Sequence, residues 1–195
     1  MEPPRRLRYN VAISLDGFIV PPGGTRGWIA HDNSISFDDI CLQFDTLVMG
    51  RKTYECMLNM GGHYLLQKYT KENLVVVSKT LKSEHHPRIT IVSEEFTGYI
   101  AGLKNGDGRD IWLVGGGQLV GPCLDAGILD TVETAIMPLM LRKGERMIGE
   151  PAPRRFGEIR LDLVDCRQRG TGGIVVCKYN VSRQMAASME EAMFC

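Results

Sequence analysis

Three short, continuously apolar runs constrain the fold of this chain more than any other feature of its sequence. They occupy residues 46–50, 74–77 and 111–114. Runs of this length without polar alternation are typical of strands buried on both faces, as in a parallel sheet covered by helices. The first and third lead straight into helix-forming sequence at 51–60 and 115–124. We therefore predict strands and helices in alternation around a mostly parallel sheet.

The other elements of the first two thirds are predicted from periodicity. Alternating residues at 7–13 indicate a half-buried strand. Apolar side chains three or four apart indicate a helix over 37–44, capped by Ser36. A further buried strand is predicted at 89–92 and a helix at 94–103. Together these elements predict a three-layer α/β fold.

The last third of the chain changes character. Residues 132–137, 159–166 and 174–181 predict longer strands without helices between them. The last two are joined by a glycine-rich turn, which predicts an antiparallel hairpin. We predict one domain over residues 1–181 and a C-terminal tail of helical composition over 182–195.

The charges balance, with 23 Lys and Arg against 23 Asp and Glu. Binding to nucleic acid or to acidic membranes relies on surplus cations, so we expect neither partner. No apolar run approaches the ~18 residues that span a bilayer, and no apolar signal-peptide core follows the first residues, so we expect a cytoplasmic protein. The six cysteines and four histidines show no metal-ligand spacing, and we expect no metal.

Glycine and polar residues follow three of the predicted buried strands. Ligands of parallel sheets bind at the carboxyl ends of the strands, and helices that start there expose N–H groups that attract phosphate. The candidates are Gly50, Arg51, Lys52 and Thr53 at the first end, Gly115, Gly116, Gly117, Gln118 and Leu119 at the second, and Ser78, Lys79 and Thr80 at the third. Together they predict a dinucleotide site.

The strand end that begins at Ser78 bears on whether the dinucleotide is NADPH or NADH. Its two hydroxyls and one ammonium group suit the phosphate on an adenosine ribose, which favours NADPH over NADH. The fingerprint G-x-G-x-x-G is incomplete, because Val120 stands where the last glycine should be, and no P-loop lysine follows. The alternatives are a plain strand–helix turn whose cations face water at the first end, close packing of the helix on the sheet at the second, and an ordinary polar loop at the third.

Five short motifs, in this order, resemble the dihydrofolate reductase superfamily. They are residues 12–19 (AISLDGFI), 28–29 (WI), 47–55 (LVMGRKTYE), 76–79 (VVSK) and 110–117 (DIWLVGGG). Within the superfamily, the chain is similar to small proteins related to the reductase half of the bifunctional riboflavin deaminase-reductases, from Tyr9 to about Tyr179. The resemblance implies an NADPH-dependent reductase, often a homodimer, with a sheet of about eight strands.

The resemblance implies roles for the cofactor candidates. The residues beside the nicotinamide would be Ala12, Leu15 and Gly17. The strand ends at Gly50 and Gly115 would hold the pyrophosphate, with a cis peptide bond between the first two glycines of the second end. The end that begins at Ser78 would approach the adenosine.

The resemblance also implies residues that contact the substrate. Phe37 would stack on a flat ring, and Trp28 would close over it as part of a lid formed by residues 17–28. Thr134 matches a threonine that supports the catalytic acid of folate reductases. For Trp28, a role as a core anchor is the alternative.

Three carboxylates are candidates for the proton donor. Asp16 is the nearest by family geometry, whereas Asp38 and Asp39 lie where folate reductases carry the acid that promotes protonation. The alternatives are that the last two are first-turn carboxylates favoured by the helix dipole, and that water donates the proton.

Departures from the riboflavin-pathway pattern disfavour a phosphoribosyl-pyrimidine substrate. Asn10 stands where those reductases usually carry Lys, Val114 where they often carry Glu, and residues 51–62 contain no Asp-x-Pro element. The leading prediction is an NADPH-dependent reductase acting on a C=N, C=C or C=O bond of a small cyclic molecule. The alternatives are a dihydrofolate reductase proper and an NADPH-binding protein without turnover that works as a sensor or partner subunit.

Overall fold

Strands and helices alternate along the chain, as the sequence predicts. The computed structural model describes residues 4–24, 27–30, 32, 35–59, 61, 63–149 and 158–182. Its strands are β1 (Leu7–Ser14), β2 (Phe18–Val20), β3 (Phe44–Gly50), β4 (Leu74–Val77), β5 (Thr90–Val92), β6 (Asp110–Gly115), β7 (Thr131–Met137), β8 (Glu145–Arg146), β9 (Leu161–Arg169) and β10 (Ile174–Val181). Its helices are α1 (Phe37–Cys41), α2 (Arg51–Asn59), α3 (His63–Leu66), α4 (Phe96–Lys104) and α5 (Gly117–Asp125).

Eight of the described strands form one sheet in the order β5-β4-β3-β6-β1-β7-β10-β9. The five pairings from β5 to β7 are parallel, whereas β10 is antiparallel to both β7 and β9. This arrangement confirms the mostly parallel sheet and the C-terminal antiparallel hairpin. The chain moves from β3 outward to β5 and then returns to place β6 on the other side of β3. The carboxyl ends of strands at such a reversal are where α/β sheets bind ligands.

The central strands are buried on both faces, which explains their continuously apolar sequences. On one face Val48 and Leu113 pack with Leu119 of α5. On the other face Met49 packs with Met57 of α2. Helices therefore cover both sides of the sheet and produce the predicted three layers.

The first helix is shorter than predicted. It ends at Cys41, because Phe44 is completely buried and already belongs to β3. The predicted cap is confirmed, since the hydroxyl of Ser36 accepts a hydrogen bond from the backbone N–H of Asp39 at 3.1 Å. None of the described helices has the length and apolar character needed to cross a bilayer.

Two short strands were not predicted from the sequence. Strands β2 and β8 pair antiparallel with each other, so part of the predicted lid over residues 17–28 is tied to the segment that begins at Glu145. Neither strand is long enough for an alternating pattern to be recognised. The implied cis peptide bond between Gly115 and Gly116 is present. The predicted tail helix lies outside the described residues, except for Ser182.

Candidate functional site

A cavity of about 510 Å³ opens at the carboxyl ends of the central strands. Its floor comes from β1 and β7, through Asn10, Ala12 and Ala135, and one wall comes from Trp112 and Val114 of β6. Further walls come from β2, from α1 and from the first turns of α2. A concave, mostly apolar cavity with a few polar groups is the usual form of a small-molecule site.

Two helix starts meet beside this cavity. Strand β3 ends at Gly50 and passes into α2, while the neighbouring β6 ends at Gly115 and passes through Gly116 into α5. A Cβ atom at either Gly115 or Gly116 would lie 3.9 Å from the hydroxyl oxygen of Thr53, in the first turn of α2. Thr53, Gly115 and Gly116 all line the cavity. The sequence prediction that both glycine strand ends serve one site therefore has the required geometry.

The start of α5 carries no side-chain cap from the described residues. Gly116 occupies the cap position, and its lack of a side chain leaves the first-turn N–H groups without such an acceptor. A helix start of this kind attracts an anion through free N–H groups and a partial positive charge.

The third glycine of the run has a structural reason. A Cβ atom at Gly117 would clash with the backbone oxygen of Arg146. The backbone oxygen of Gly117 also accepts a hydrogen bond from the N–H of Gly149 at 2.8 Å. The close-packing alternative therefore applies to Gly117. Gln118 lies against Gly149 in the same contact.

Leu119 does not have the geometry of a cofactor residue. Its side chain is buried in the core beneath α5, and its N–H donates to the oxygen of Gly116 at 3.0 Å. The structure therefore does not bring Leu119 to the cavity, because its side chain lies in the core and its amide bonds within the turn.

The two cations of the first strand end are placed differently. Lys52 lines the cavity and donates to Glu145 of β8 at 3.0 Å, which joins α2 to β8 across the cavity mouth. Arg51 instead pairs with Glu55 one turn along α2, at 2.9 Å. Of the two cations, Lys52 lines the cavity and Arg51 does not.

The third strand end contains one structural and two exposed residues. The buried hydroxyl of Ser78 accepts hydrogen bonds from the N–H groups of Thr80 and Leu81, at 3.1 and 3.0 Å. Ser78 therefore builds the turn after β4 rather than offering a free group. Lys79 and Thr80 are exposed at the carboxyl end of β4.

Asp38 and Asp39 lie outside the cavity. Helix α1 turns Phe37 and Ile40 toward the cavity, which leaves the two residues between them exposed on its outer side. Asp38 pairs with Lys68 there at 3.0 Å. The alternative of first-turn carboxylates describes both residues, and the structure does not bring them to the substrate side.

Asp16 is an anchor of the loop after β1. Its carboxylate accepts hydrogen bonds from the hydroxyl of Ser14 at 2.6 Å and from the N–H groups of Leu141 and Arg142 at 3.0 and 2.7 Å. The hydrogen bond from Ser14 is the largest effect on the pKa of Asp16 and lowers it. Burial acts in the opposite direction, and the backbone N–H donors lower the pKa further. A carboxyl group held ionised in this way is a poor proton donor.

The neighbours of Asp16 also stay outside the cavity. Leu15 is largely exposed, and Gly17 adopts φ +82° in the turn that leads into β2. Ala12, by contrast, lines the floor as the resemblance implies.

Of the two aromatic residues expected to contact the substrate, one lines the cavity and the other does not. Phe37 lines the cavity, and its ring lies 5.7 Å from that of Trp112 between centroids. Trp28 is not among the lining residues, although Ile29 and Ala30 next to it are. The ring nitrogen of Trp28 is buried and has no hydrogen-bond partner among the described residues.

Thr134 lies on the opposite face of β7 from the cavity. The register pairs Ala12 with Ala135 and Val11 with Thr134, and side chains alternate along a strand. Ala135 therefore lines the cavity and Thr134 packs below it. The structure therefore does not bring the side chain of Thr134 to the cavity, and Ala135, the next residue along β7, lies there instead.

Sequence reasoning missed two acids and an amide at the cavity. Asp32 and Glu145 are the carboxylates that line it among the described residues, and Asn10 contributes the amide. Asn10 could have been found, because it is two residues before Ala12 on the same face of β1. The two acids lie in segments without a periodic pattern.

A buried ionic network supports Asn10. Its side-chain nitrogen donates to Glu133 at 3.2 Å, and Glu133 accepts two hydrogen bonds from Arg8, at 2.7 and 2.8 Å. Lys178 adds a second cation at 3.4 Å from Glu133. Burial alone would raise the pKa of Glu133, but the hydrogen bonds and charges of Arg8 and Lys178 outweigh it and lower that pKa.

The fold is similar to solved structures of two kinds. A putative riboflavin biosynthesis protein from Shewanella sp. PV-4 superposes with a TM-score of 0.74 at 20% sequence identity, covering 91% of this chain and 99% of that one. Dihydrofolate reductase from Enterococcus faecalis, in complex with NADP(H), superposes with a TM-score of 0.57 at 15% identity, covering 91% and 96%. The fold is thus dihydrofolate-reductase-like.

Sequence comparison is more specific. The family model described as the RibD C-terminal domain matches residues 5–175. This chain therefore belongs to the RibD C-terminal domain family. It is 26% identical over 183 residues to YyaP, an uncharacterized protein of Bacillus subtilis (strain 168), with 88% of this chain and 93% of YyaP covered. The resemblance drawn from the sequence motifs is confirmed.

Proposed function

We propose that this chain is an NADPH-dependent reductase that delivers hydride to a C=N, C=C or C=O bond of a small cyclic molecule. The observation that carries the proposal is the meeting of two helix starts beside the cavity, after Gly50 and after Gly116. Membership of the RibD C-terminal domain family agrees with it.

The residues at the crevice fit the diphosphate of a dinucleotide. Gly115 and Gly116 keep the backbone bare where a side chain would fill the space beside Thr53. The first-turn N–H groups of α2 and α5, the hydroxyl of Thr53 and the ammonium group of Lys52 would hold the phosphate oxygens. Each of these groups donates hydrogen bonds, as an anion requires.

The selection of NADPH over NADH is assigned to the turn after β4. Strand β4 lies next to β3, and Lys79 and Thr80 are exposed at its carboxyl end. An ammonium and a hydroxyl group at that position would hold the ribose phosphate that distinguishes the two dinucleotides.

The cavity itself would hold the two reacting rings. NADPH supplies the hydride when bound. Ala12 and the bare glycines leave room for one flat ring, and Phe37 and Trp112 form an aromatic wall for the substrate. These side chains orient the substrate and exclude water, which is most of what hydride transfer asks of a protein.

The proton must come from a group that reaches the cavity. Asp32 and Glu145 do so among the described carboxylates, whereas Asp16, Asp38 and Asp39 do not. Glu145 forms an ion pair with Lys52 at 3.0 Å. We therefore assign the proton transfer to this pair of carboxylates, Glu145 of β8 and Asp32, which packs against Gly170 in the turn between β9 and β10.

Consumption of NADPH, followed by its absorbance at 340 nm, tests the proposed reaction. The substrates are a panel of dihydropterins, cyclic imines and cyclic enones, with NADH as the comparison cofactor. We expect turnover of at least one class with NADPH, and loss of most of that turnover in Asp32→Asn or in Glu145→Gln. Turnover only with dihydrofolate would instead select the folate reductase alternative.

A non-catalytic role has one observation in its favour. All three carboxylates that the sequence offered as proton donors lie outside the cavity. A protein that binds NADPH tightly without oxidising it on any member of the panel would be a sensor or partner subunit. Binding and turnover are therefore measured on the same preparation.

A further inference from the structure

We propose that Asn10 presents its side-chain carbonyl oxygen to the cavity and selects substrates with a ring N–H or an amino group at that position. The inference rests on the proposed function, because it names the substrate class of the same cavity. It assigns to Asn10 the role of a specificity-determining residue.

The orientation of the amide follows from its partner. The side-chain nitrogen of Asn10 lies 3.2 Å from a carboxylate oxygen of Glu133. An ionised carboxylate can only accept hydrogen bonds, so the NH₂ end of the amide must face Glu133. The carbonyl oxygen at the other end is then the acceptor that Asn10, which lines the cavity, offers to a ligand.

Glu133 is held in the ionised form that this orientation needs. Arg8 donates to both of its carboxylate oxygens, and Lys178 lies 3.4 Å away. Arg8 is almost completely buried, and Asp110 holds it from a second side at 3.2 Å. The pair cannot swing away without breaking several buried contacts, so the direction of the Asn10 amide is built into the core.

The backbone of Asn10 is fixed as well. Its peptide oxygen accepts a hydrogen bond from the ring nitrogen of Trp112 at 3.0 Å. The same tryptophan packs against Phe37 and stacks on Phe44 at 5.1 Å between ring centroids. A rigid aromatic wall therefore stands beside the Asn10 amide.

The surroundings give this acceptor its selectivity. The neighbouring lining residues Ala12, Ala135 and Met137 are apolar. A ligand that removes water from the Asn10 oxygen without supplying a donor would leave a desolvated polar group unpaired, which is costly. A flat ring with an N–H group satisfies both the aromatic wall and the acceptor, whereas the same ring with an N-methyl group does not.

A matched pair of probes tests the inference without turnover. Pteridine-2,4-dione carries ring N–H groups, and its 1,3-dimethyl derivative is the same ring without them. Calorimetric titration of the wild-type protein should show binding of the first at least about tenfold tighter than of the second, the effect of one hydrogen bond in an apolar site. Equal affinities, or binding of neither probe, would overturn the inference.

Two variants distinguish the effect of the Asn10 hydrogen-bond acceptor from the effect of side-chain shape. Asn10→Leu keeps the size of the side chain and should lower the affinity ratio toward one by weakening only the N–H probe. Glu133→Gln, which does not touch the ligand, allows the amide to turn over and should also lower the ratio. An unchanged affinity ratio in Asn10→Leu would contradict the inference. If a variant does not fold, the affinities of the two probes for the wild-type protein test the inference alone.

NADPH titration of the same samples keeps the two proposals apart. If NADPH binds but the probes are not discriminated, the role of Asn10 is wrong and the proposed function stands. If the probes are discriminated but NADPH does not bind, the proposed function is wrong and the acceptor stands.

Discussion

Arg8 and Glu133 form a two-bond ion pair beneath the cavity floor. The Nε and Nη2 atoms of Arg8 donate to the two carboxylate oxygens of Glu133 at 2.7 and 2.8 Å. The two residues come from adjacent parallel strands, β1 and β7. Both side chains are largely buried. If one of them is removed, water therefore cannot take its place beside the remaining charge.

Glu133→Gln should therefore destabilise the fold. We expect a loss of about 3 kcal/mol in the free energy of unfolding near neutral pH, since Arg8 stays buried and, among the described residues, keeps Asp110 as its opposite charge. Urea denaturation measures the difference. Glu158→Gln is the matched control, because the pair of Glu158 with Arg160 is exposed at 71% on both sides, and it should change little.

The same variant predicts a pH dependence. The pKa of Glu133 in the folded chain lies below its ordinary value of 4.5, so its contribution to stability is complete above that value and is lost as the pH falls through the folded pKa. The gap between wild type and Glu133→Gln should shrink in acid. A gap that stays constant down to about pH 3 would show that Glu133 is not held ionised by Arg8.

Asp16 should report on the loop rather than on catalysis. Asp16→Asn weakens the hydrogen bonds to the N–H groups of Leu141 and Arg142, so hydrogen exchange at these two amides should become faster. A lowered pKa of Asp16 predicts an acid titration below 3.8, visible by NMR. Unchanged exchange together with a titration near neutral pH would contradict this account.

Lys79 should determine the preference for the phosphorylated cofactor. Lys79→Ala is expected to weaken NADPH binding by about tenfold and to leave NADH binding unchanged, because only NADPH carries the ribose phosphate. Lys82→Ala is the matched control, an exposed lysine three residues further along the same loop. If both substitutions changed the affinity for NADPH equally, the preference for NADPH could not be assigned to Lys79.

The edge strand β9 predicts self-association. Leu161, Leu163 and Val164 are exposed by 41%, 59% and 53%, and β9 is the last strand of the sheet. Exposed apolar side chains on an unpaired edge favour pairing with a second copy. Sedimentation equilibrium should show a dimer that Leu163→Glu dissociates, while Leu42→Glu, at an exposed leucine after α1, leaves it intact. A monomeric wild type would contradict the homodimer.

The sequence was most informative where burial determines the pattern. The apolar runs at β3, β4 and β6 can only be strands covered on both faces, and the glycines that follow them mark the crevice. The sequence could not show which face of β7 carries Thr134, because a shift of one residue in register moves a side chain to the other face of a strand. Only the pairing of β7 with β1 determines which residue faces the cavity.

The acids at the cavity could not be found from the sequence. Asp38 and Asp39 match the position of a catalytic acid along the chain, but the short α1 exposes them to solvent. Glu145 reaches the cavity through the pairing of β8 with β2, which is a long-range contact without a local signal. Asp32 lies in a loop segment, where periodicity carries no information.

Calorimetric titration with NADPH, comparing wild type with Gly116→Ala, tests the central claim most directly. Gly116 has φ −70°, and among the described residues an added Cβ would meet Thr53 alone, at an ordinary 3.9 Å, so the substitution should leave the fold intact. Gly98→Ala in α4, where nothing lies within 4 Å, is the control. We predict that wild type and Gly98→Ala bind NADPH and that Gly116→Ala binds it at least about tenfold more weakly. No heat of binding in the wild type, or equal affinity in all three proteins, would contradict the account.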